Sequence, residues 1–258
     1  MKINLKKFKS ILLHGLLCSL VILSTSCADI EVIDDDFTTS TNKVIGGRVS
    51  KHHLSVVGLR FRGSILCTGT LITKRSVLTA AHCLFKKQGN QIIIDEPGKV
   101  VFTKGKKRVK MIDVIGSVIH PDYDEISLIN DLAILYLESE ADQEPVKMFL
   151  NDPLELNDRE VTIVGFGENK RGRSGIKRRA TMKVVSHDAD FVHVKSPNKK
   201  HRIACYGDSG GPVLVENQGE DYIAGVLSFG TKGCKKKSTD FYTRVDRRID
   251  WIINHQNP

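Results

Sequence analysis

The sequence predicts an all-β fold closed by a single C-terminal helix, on three observations. Short apolar runs recur along the chain, at residues 56–59, 70–72, 91–94, 132–137, 161–164, 184–185, 191–194, 212–215 and 223–227. Clusters of Gly, Asn, Asp and Lys separate them, which is the pattern of strands between turns in a β-sandwich or barrel. The helix is expected where Val245, Ile249, Ile252 and Ile253 fall at helical spacing. At 258 residues the chain is long enough to bury one large core or two small ones. It shows no internal repeat, metal-ligand spacing or phosphate-binding loop.

The N-terminal stretch stands apart from this pattern. Lys2, Lys6, Lys7 and Lys9 precede an apolar run over residues 11–23, broken only by His14, Gly15 and Ser19, and small residues follow at Ser24, Thr25, Ser26, Cys27 and Ala28. That is the layout of an export signal. A membrane anchor needs about 20 apolar residues, and this run is too short. Residues 1–26 are therefore read as the signal. The segment 23–27 is similar to a loose bacterial lipobox, which would lipidate Cys27 as the first mature residue; the alternative is ordinary cleavage after Ala28. Either outcome exports the chain: extracellular, periplasmic, or lipid-anchored at the cell envelope.

Residues 27–43 form an acidic propeptide or linker, in which Asp29, Glu31, Asp34, Asp35 and Asp36 are opposed only by Lys43. Such a segment has little to bury. The globular part is expected over residues 44–258. Beyond Cys27 it leaves Cys67, Cys83, Cys205 and Cys234, read as two disulfides with three arithmetically possible pairings.

Three separated stretches carry chemistry: residues 78–83 around His82, residues 130–134 around Asp131, and Cys205-Tyr206-Gly207-Asp208-Ser209-Gly210-Gly211-Pro212. Taken alone, His82 fits a buried structural histidine and Asp131 a turn residue; the run 207–212 is far more specific. They occur in the order His, Asp, Ser. With Val44-Ile45-Gly46-Gly47, His120-Pro121-Asp122-Tyr123 and Ser228-Phe229-Gly230, the chain resembles the trypsin/chymotrypsin family from Val44 to the C-terminal helix. The bacterial-type signal suggests an exported bacterial member. The resemblance implies two packed six-stranded antiparallel β-barrels, over about 44–150 and about 151–258, the second ending in the helix.

The family's roles then fall on named residues. A serine hydroxyl needs a base, so His82 would activate Ser209, and Asp131 would fix the imidazole and balance its charge. The backbone N–H groups of Gly207 and Ser209 would form the oxyanion hole. Ser228, Phe229 and Gly230 would hold the substrate backbone as an added strand. The implied pairing is Cys67 with Cys83 and Cys205 with Cys234; the family's other bridges have no cysteines here. The stretch from Gly167 to Ser209 is shorter than usual. Cleavage between Lys43 and Val44 would create an ammonium that pairs with Asp208 and orders the oxyanion loop.

Specificity is less direct. Counting back from Ser209 places Ile203 on the floor of the primary pocket, where a trypsin carries aspartate. Counting forward from Cys234 places Asp240 on the pocket wall. Either Asp240 receives Lys or Arg at P1, alone or alongside large apolar residues resting on Ile203, or it pairs with a local lysine or faces solvent and the pocket is apolar. A basic or mixed preference is the favoured reading.

The formal net charge is +9, gathered in runs: Lys104 to Lys110; Lys170 to Arg179; and Lys199, Lys200, Arg202 with Lys235 to Lys237. This suits anionic surfaces or, alternatively, a set of solvated loops. Without interleaved aromatics, no specific reading of nucleic acid is expected. The expectation is a monomer acting on protein or peptide substrates, open to protein inhibitors, with no cofactor and no metal. The alternatives are a catalytically silent module binding acidic partners and a hydrolase of other acyl groups.

Overall fold

A computed structural model describes residues 44, 46–88, 91–150, 156–168, 174–197, 203–232, 234–235 and 237–257. The export signal, the acidic segment, Cys27 and Lys43 lie outside the described residues, as do Ile45, Lys170, Arg171, Arg173, Lys199, Lys200, Arg202 and Lys236.

The strands, in chain order, are β1 (Arg48–Val49), β2 (Val56–Phe61), β3 (Ser64–Thr73), β4 (Ser76–Thr79), β5 (Phe85–Gln88), β6 (Gln91–Ile94), β7 (Lys99–Lys104) and β8 (Lys107–Ile119). They continue with β9 (Ala133–Leu137), β10 (Lys147–Met148), β11 (Glu160–Gly165), β12 (Arg178–His187), β13 (Phe191–Lys195), β14 (Pro212–Asn217), β15 (Glu220–Gly230) and β16 (Asp240–Arg244). The one α-helix among the described residues, α1, spans Ile249–His255.

Six strands close a first barrel in the order β2-β3-β4-β9-β8-β7. A second closes through β11-β12-β13-β16-β15-β14, each neighbouring pair antiparallel. The two-barrel expectation and the terminal helix are both borne out. Closure leaves no exposed sheet edge within either ring. Each barrel is filled by residues on the inward faces of its strands, Val57, Leu59, Leu71, Val77 and Leu135 in the first and Val161, Met182, Val194, Val213 and Tyr242 in the second.

The first and last elements described cross between the barrels. β1 pairs with β12 of the second barrel, whereas Val245 and Ile252 belong to the core cluster of the first. Tyr136 Oη donates to the His255 carbonyl at 2.8 Å, fastening α1 to β9. The seam between barrels is filled by Phe166, which follows β11 and is fully buried. Gly58 gives it room: a Cβ there would sit 2.9 Å from Ile65 and 3.3 Å from Phe166.

One basic run proves partly internal. Lys177 is fully buried and Arg178 is 5 % exposed, so neither belongs to a solvated loop or an anion-binding surface. The Lys177 ammonium donates to the carbonyls of His53 (2.9 Å), Val56 (3.2 Å) and Thr103 (3.0 Å). Burial lowers its pKa to about 8. The Lys177 carbonyl in turn accepts the Ser50 N–H. One side chain thus ties the segment after β1 to β2 and β7.

Candidate active site

His82 stands in a 3-10 turn, Ala81–Leu84, between β4 and β5. Asp131 lies two residues before β9, and the β4–β9 pairing of Thr79 with Ala133 brings the two connections together. Asp131 is fully buried and accepts three hydrogen bonds: His82 N–H at 2.8 Å, His82 Nδ1 at 2.7 Å and Ser228 Oγ at 2.6 Å. An ionised carboxylate is acceptor-only, so Nδ1 carries the hydrogen and Nε2 is left as the basic lone pair. The buried Asp131 charge also raises the pKa of Tyr123, after the larger effect of burial.

The serine loop is pressed onto the first barrel. Thr68 N–H donates to the Ser209 carbonyl at 2.8 Å, and Thr68 Oγ1 donates to the Gly207 carbonyl at 2.8 Å while accepting Phe166 N–H at 3.0 Å. The Cys83 sulfur lies 3.7 Å from the Ser209 carbonyl oxygen, which sets the serine residue against the histidine turn. That approach requires glycine at position 210. Its φ is +78°, and a Cβ would meet Thr79 Oγ1 at 2.1 Å and the Thr68 carbonyl at 2.3 Å. Gly207, at φ +91°, keeps its carbonyl turned to Thr68. Neither the Gly207 nor the Ser209 N–H meets an acceptor among the described residues.

Both disulfides pair as the resemblance implied, Cys67 with Cys83 and Cys205 with Cys234. Each pins one catalytic loop: the first sits beside His82, the second opens the serine loop.

A cavity of about 230 Å³ is lined by Ala204, Cys205, Tyr206, Ser209, Leu227, Ser228, Phe229, Gly230, Cys234 and Asp240. Ser228, Phe229, Gly230 and Asp240 therefore gather around Ser209. Ile203 does not line it: it is 1 % exposed, and Ala204 stands at the wall instead. Asp240, 1 % exposed, accepts Ala204 N–H at 3.1 Å and has no ion-pair partner among the described residues. Burial raises its pKa to about 7; the Ala204 bond opposes this and the charge of Asp208 adds to it.

Asp208 is buried behind the serine. Its carboxylate accepts Gly167 N–H at 2.8 Å and Cys205 N–H at 2.9 Å, with no cation at ion-pair distance among the described residues. Burial raises its pKa to about 6, against those two bonds and the more distant Arg178. Gly165 and Gly167 make room for it, since a Cβ at either would overlap its carboxyl group. Val44 is 1 % exposed and packs in the core cluster of the second barrel.

Two positioning groups escape sequence reading. Thr68 is one of four hydroxyl residues in β3, with Ser64, Thr70 and Thr73, and is flagged only by its place after Cys67. Ser228 is visible as a substrate-strand residue, but its hydrogen bond to Asp131 depends on the fold.

Residues 44–252 match the Trypsin family. The chain belongs to the trypsin family. This trypsin-family chain is 30% identical to Serine protease Hayan of Drosophila melanogaster over 232 residues, covering 78% of this chain and 36% of that protein. It thus spans about a third of that relative. It is 29% identical to a chymotrypsin of Phaedon cochleariae over 209 residues, 73% of this chain and 71% of that one. In structure it is similar to human heparin binding protein, with a TM-score of 0.66 and 24% identity, covering 83% of this chain and 97% of that chain. That likeness supports the fold alone. These relatives are animal proteins and give no support to the expected bacterial source. No helix among the described residues is long and apolar enough to cross a membrane.

Proposed function

We propose that the chain is an exported serine endopeptidase, made as a zymogen and cut between Lys43 and Val44. The observation that carries this reading is the buried Asp131 carboxylate holding His82 by both its backbone and its Nδ1 atom, beside a cavity that contains Ser209. Ser209 Oγ attacks the substrate carbonyl carbon while His82 Nε2 takes the hydroxyl proton. The oxyanion that forms is received by the unengaged N–H groups of Gly207 and Ser209. Collapse breaks the C–N bond, His82 returns the proton to the leaving amine, and water hydrolyses the acyl-enzyme by the same route. Trypsin-like proteases act on protein substrates, and Phe229 and Gly230 supply the strand that aligns one.

Activation is supported by Asp208. A buried carboxylate that among the described residues accepts only two N–H groups is a ready acceptor for the ammonium that cleavage would free on Val44. Basic or mixed P1 preference is supported by Asp240, a carboxylate at the cavity wall with no cation of its own among the described residues. Residues 1–26 act as the export signal and 27–43 as the propeptide, with Cys27 as a candidate lipid anchor. The chain works as a monomer without metal or cofactor.

The deciding experiment is labelling of the cut chain by a fluorophosphonate. Labelling that Ser209→Ala abolishes supports the enzyme; an unlabelled parent with intact Val44 as its N-terminus refutes it. Lys43→Gln tests the zymogen, which fails if the uncut variant is fully active.

A further inference from the structure

Asp131 stands at the apex of a tight three-residue turn, closed where Leu132 N–H donates to the Asn130 carbonyl at 2.7 Å. Asn130 enters that turn at φ +55°, in the left-handed region. A residue with a Cβ stays there only when its surroundings hold it, and asparagine tolerates it better than most. The turn matters because the Asp131 carboxylate meets His82 at two points, the backbone N–H at 2.8 Å and Nδ1 at 2.7 Å. Rotating the turn would break both contacts at once.

Among the described residues the Asn130 side chain makes two hydrogen bonds. Its Nδ2 donates to the Asp122 carbonyl at 3.0 Å, and its Oδ1 accepts Arg248 Nε at 2.8 Å. One acceptor and one donor fix which way the amide faces. Arg248 ends the 3-10 turn Asp246–Arg248 that leads into α1, and it is 7 % exposed. Its other two nitrogens turn to the second barrel, to the Asp190 carboxylate and, at 3.4 Å, to the Ala189 carbonyl. Both acceptors lie in the turn between β12 and β13. That turn is itself fastened: the Asp190 carbonyl accepts Arg244 N–H at 2.9 Å, and Asp190 N–H donates to Asp188 Oδ1 at 2.8 Å. The planar guanidinium can span these partners because its donors point in fixed directions. Arg248 does not line the cavity that holds Ser209.

We propose that Arg248 is a positioning residue for the hydrolytic reaction. Through Asn130 it locks the left-handed turn that aims the Asp131 carboxylate at His82, and it takes its own bearing from the β12–β13 turn. The acid of the first barrel is thus set by a hairpin of the second. This inference rests on the proposed roles of His82, Asp131 and Ser209.

The test uses the full chain cut before Val44 and has two readouts. One is kcat and KM for a fluorogenic Lys or Leu peptide, whichever the parent cleaves faster. The other is the downfield proton resonance of His82 Nδ1–H, which reports the bond to Asp131 with or without turnover. Asn130→Gly keeps the positive φ without strain and removes both side-chain anchors. Arg248→Met removes one anchor and keeps the apolar stem. Each should lower kcat about tenfold or more with KM within about twofold, since a misplacement of about 1 Å can cost about a hundredfold. Each should also shift or broaden the resonance. The double variant should be no worse than Asn130→Gly alone, because Arg248 acts through that side chain. A sharp resonance at the parental position in both variants overturns the proposal. So does a double variant whose loss is the product of the single losses, which would mean that Arg248 only supports α1. If the parent shows the resonance but no turnover, the endopeptidase reading fails, and the resonance in the variants still decides the role of Arg248. Asn130→Gly leaves the Arg248–Asp190 pair in place, so it gives the answer even where Arg248→Met does not fold.

Discussion

Replacing Asp240 with Asn removes one charge from the cavity and keeps an oxygen for the Ala204 N–H. Burial raises the pKa of this carboxyl to about 7. Relative to an ordinary aspartate near 4 this is about three units, or roughly 4 kcal/mol of resistance to ionisation. A Lys or Arg side chain at P1 is attracted only by the ionised form. About one site in ten is ionised at pH 6 and about nine in ten at pH 8, so preference for Lys over Leu should rise about tenfold across that range. The assay is kcat/KM for matched Lys and Leu peptides from pH 6 to 8, expressed as a ratio, which cancels any pH dependence of the chemistry common to both substrates. In Asp240→Asn the ratio should be flat in pH and lower by about 2–5 kcal/mol, or roughly thirtyfold to several thousandfold. The variant should also be more stable than the parent at pH 8, because the folded parent then holds an uncompensated buried charge. A parental ratio that is flat in pH and equal to that of the variant would refute the role of Asp240.

Three further outcomes follow from the site. In the uncut Lys43→Gln chain, Asp208 has its folded pKa raised to about 6, so its contribution to stability is full below pH 4 and is lost as pH rises through 6. Asp208→Asn should flatten that slope by about 3 kcal/mol in urea unfolding followed across pH. Gly210→Ala places a methyl 2.1 Å from Thr79 Oγ1 in a left-handed backbone, and should cost about 3 kcal/mol or more, read as a lower denaturation midpoint. Ser228→Ala removes a 2.6 Å donor to Asp131 and should lower kcat about tenfold with KM little changed.

Much of this architecture was legible because apolar runs mark strands buried on one face. The runs at 56–59, 161–164, 212–215 and 223–227 all fall within strands. β8 was missed because its outward positions hold Lys107, Arg108 and Asp113 and only Ile112 is fully buried, so it reads as a charged loop. β16 was missed because its buried residues include the polar Asp240, Thr243 and Arg244. Motif residues pointed to His82, Asp131 and Ser209, since that chemistry demands particular residue types, and the family resemblance implied both disulfides. Lys177 was hidden for the opposite reason: a lysine amid Arg178 and Arg179 looks solvated, and only the convergence of three carbonyls from distant segments shows it to be internal.

That ammonium cage has a bearing on how the protein responds to reducing agents. Two covalent links, Cys67–Cys83 and Cys205–Cys234, hold the loops that carry His82 and Ser209, and a thiol reductant opens both. The segment behind Val44 is fastened by Lys177 through hydrogen bonds alone, which no reductant touches. Reduction should therefore loosen the two catalytic loops while the amino-terminal segment stays anchored, so that restoring the two bridges is enough to restore the site.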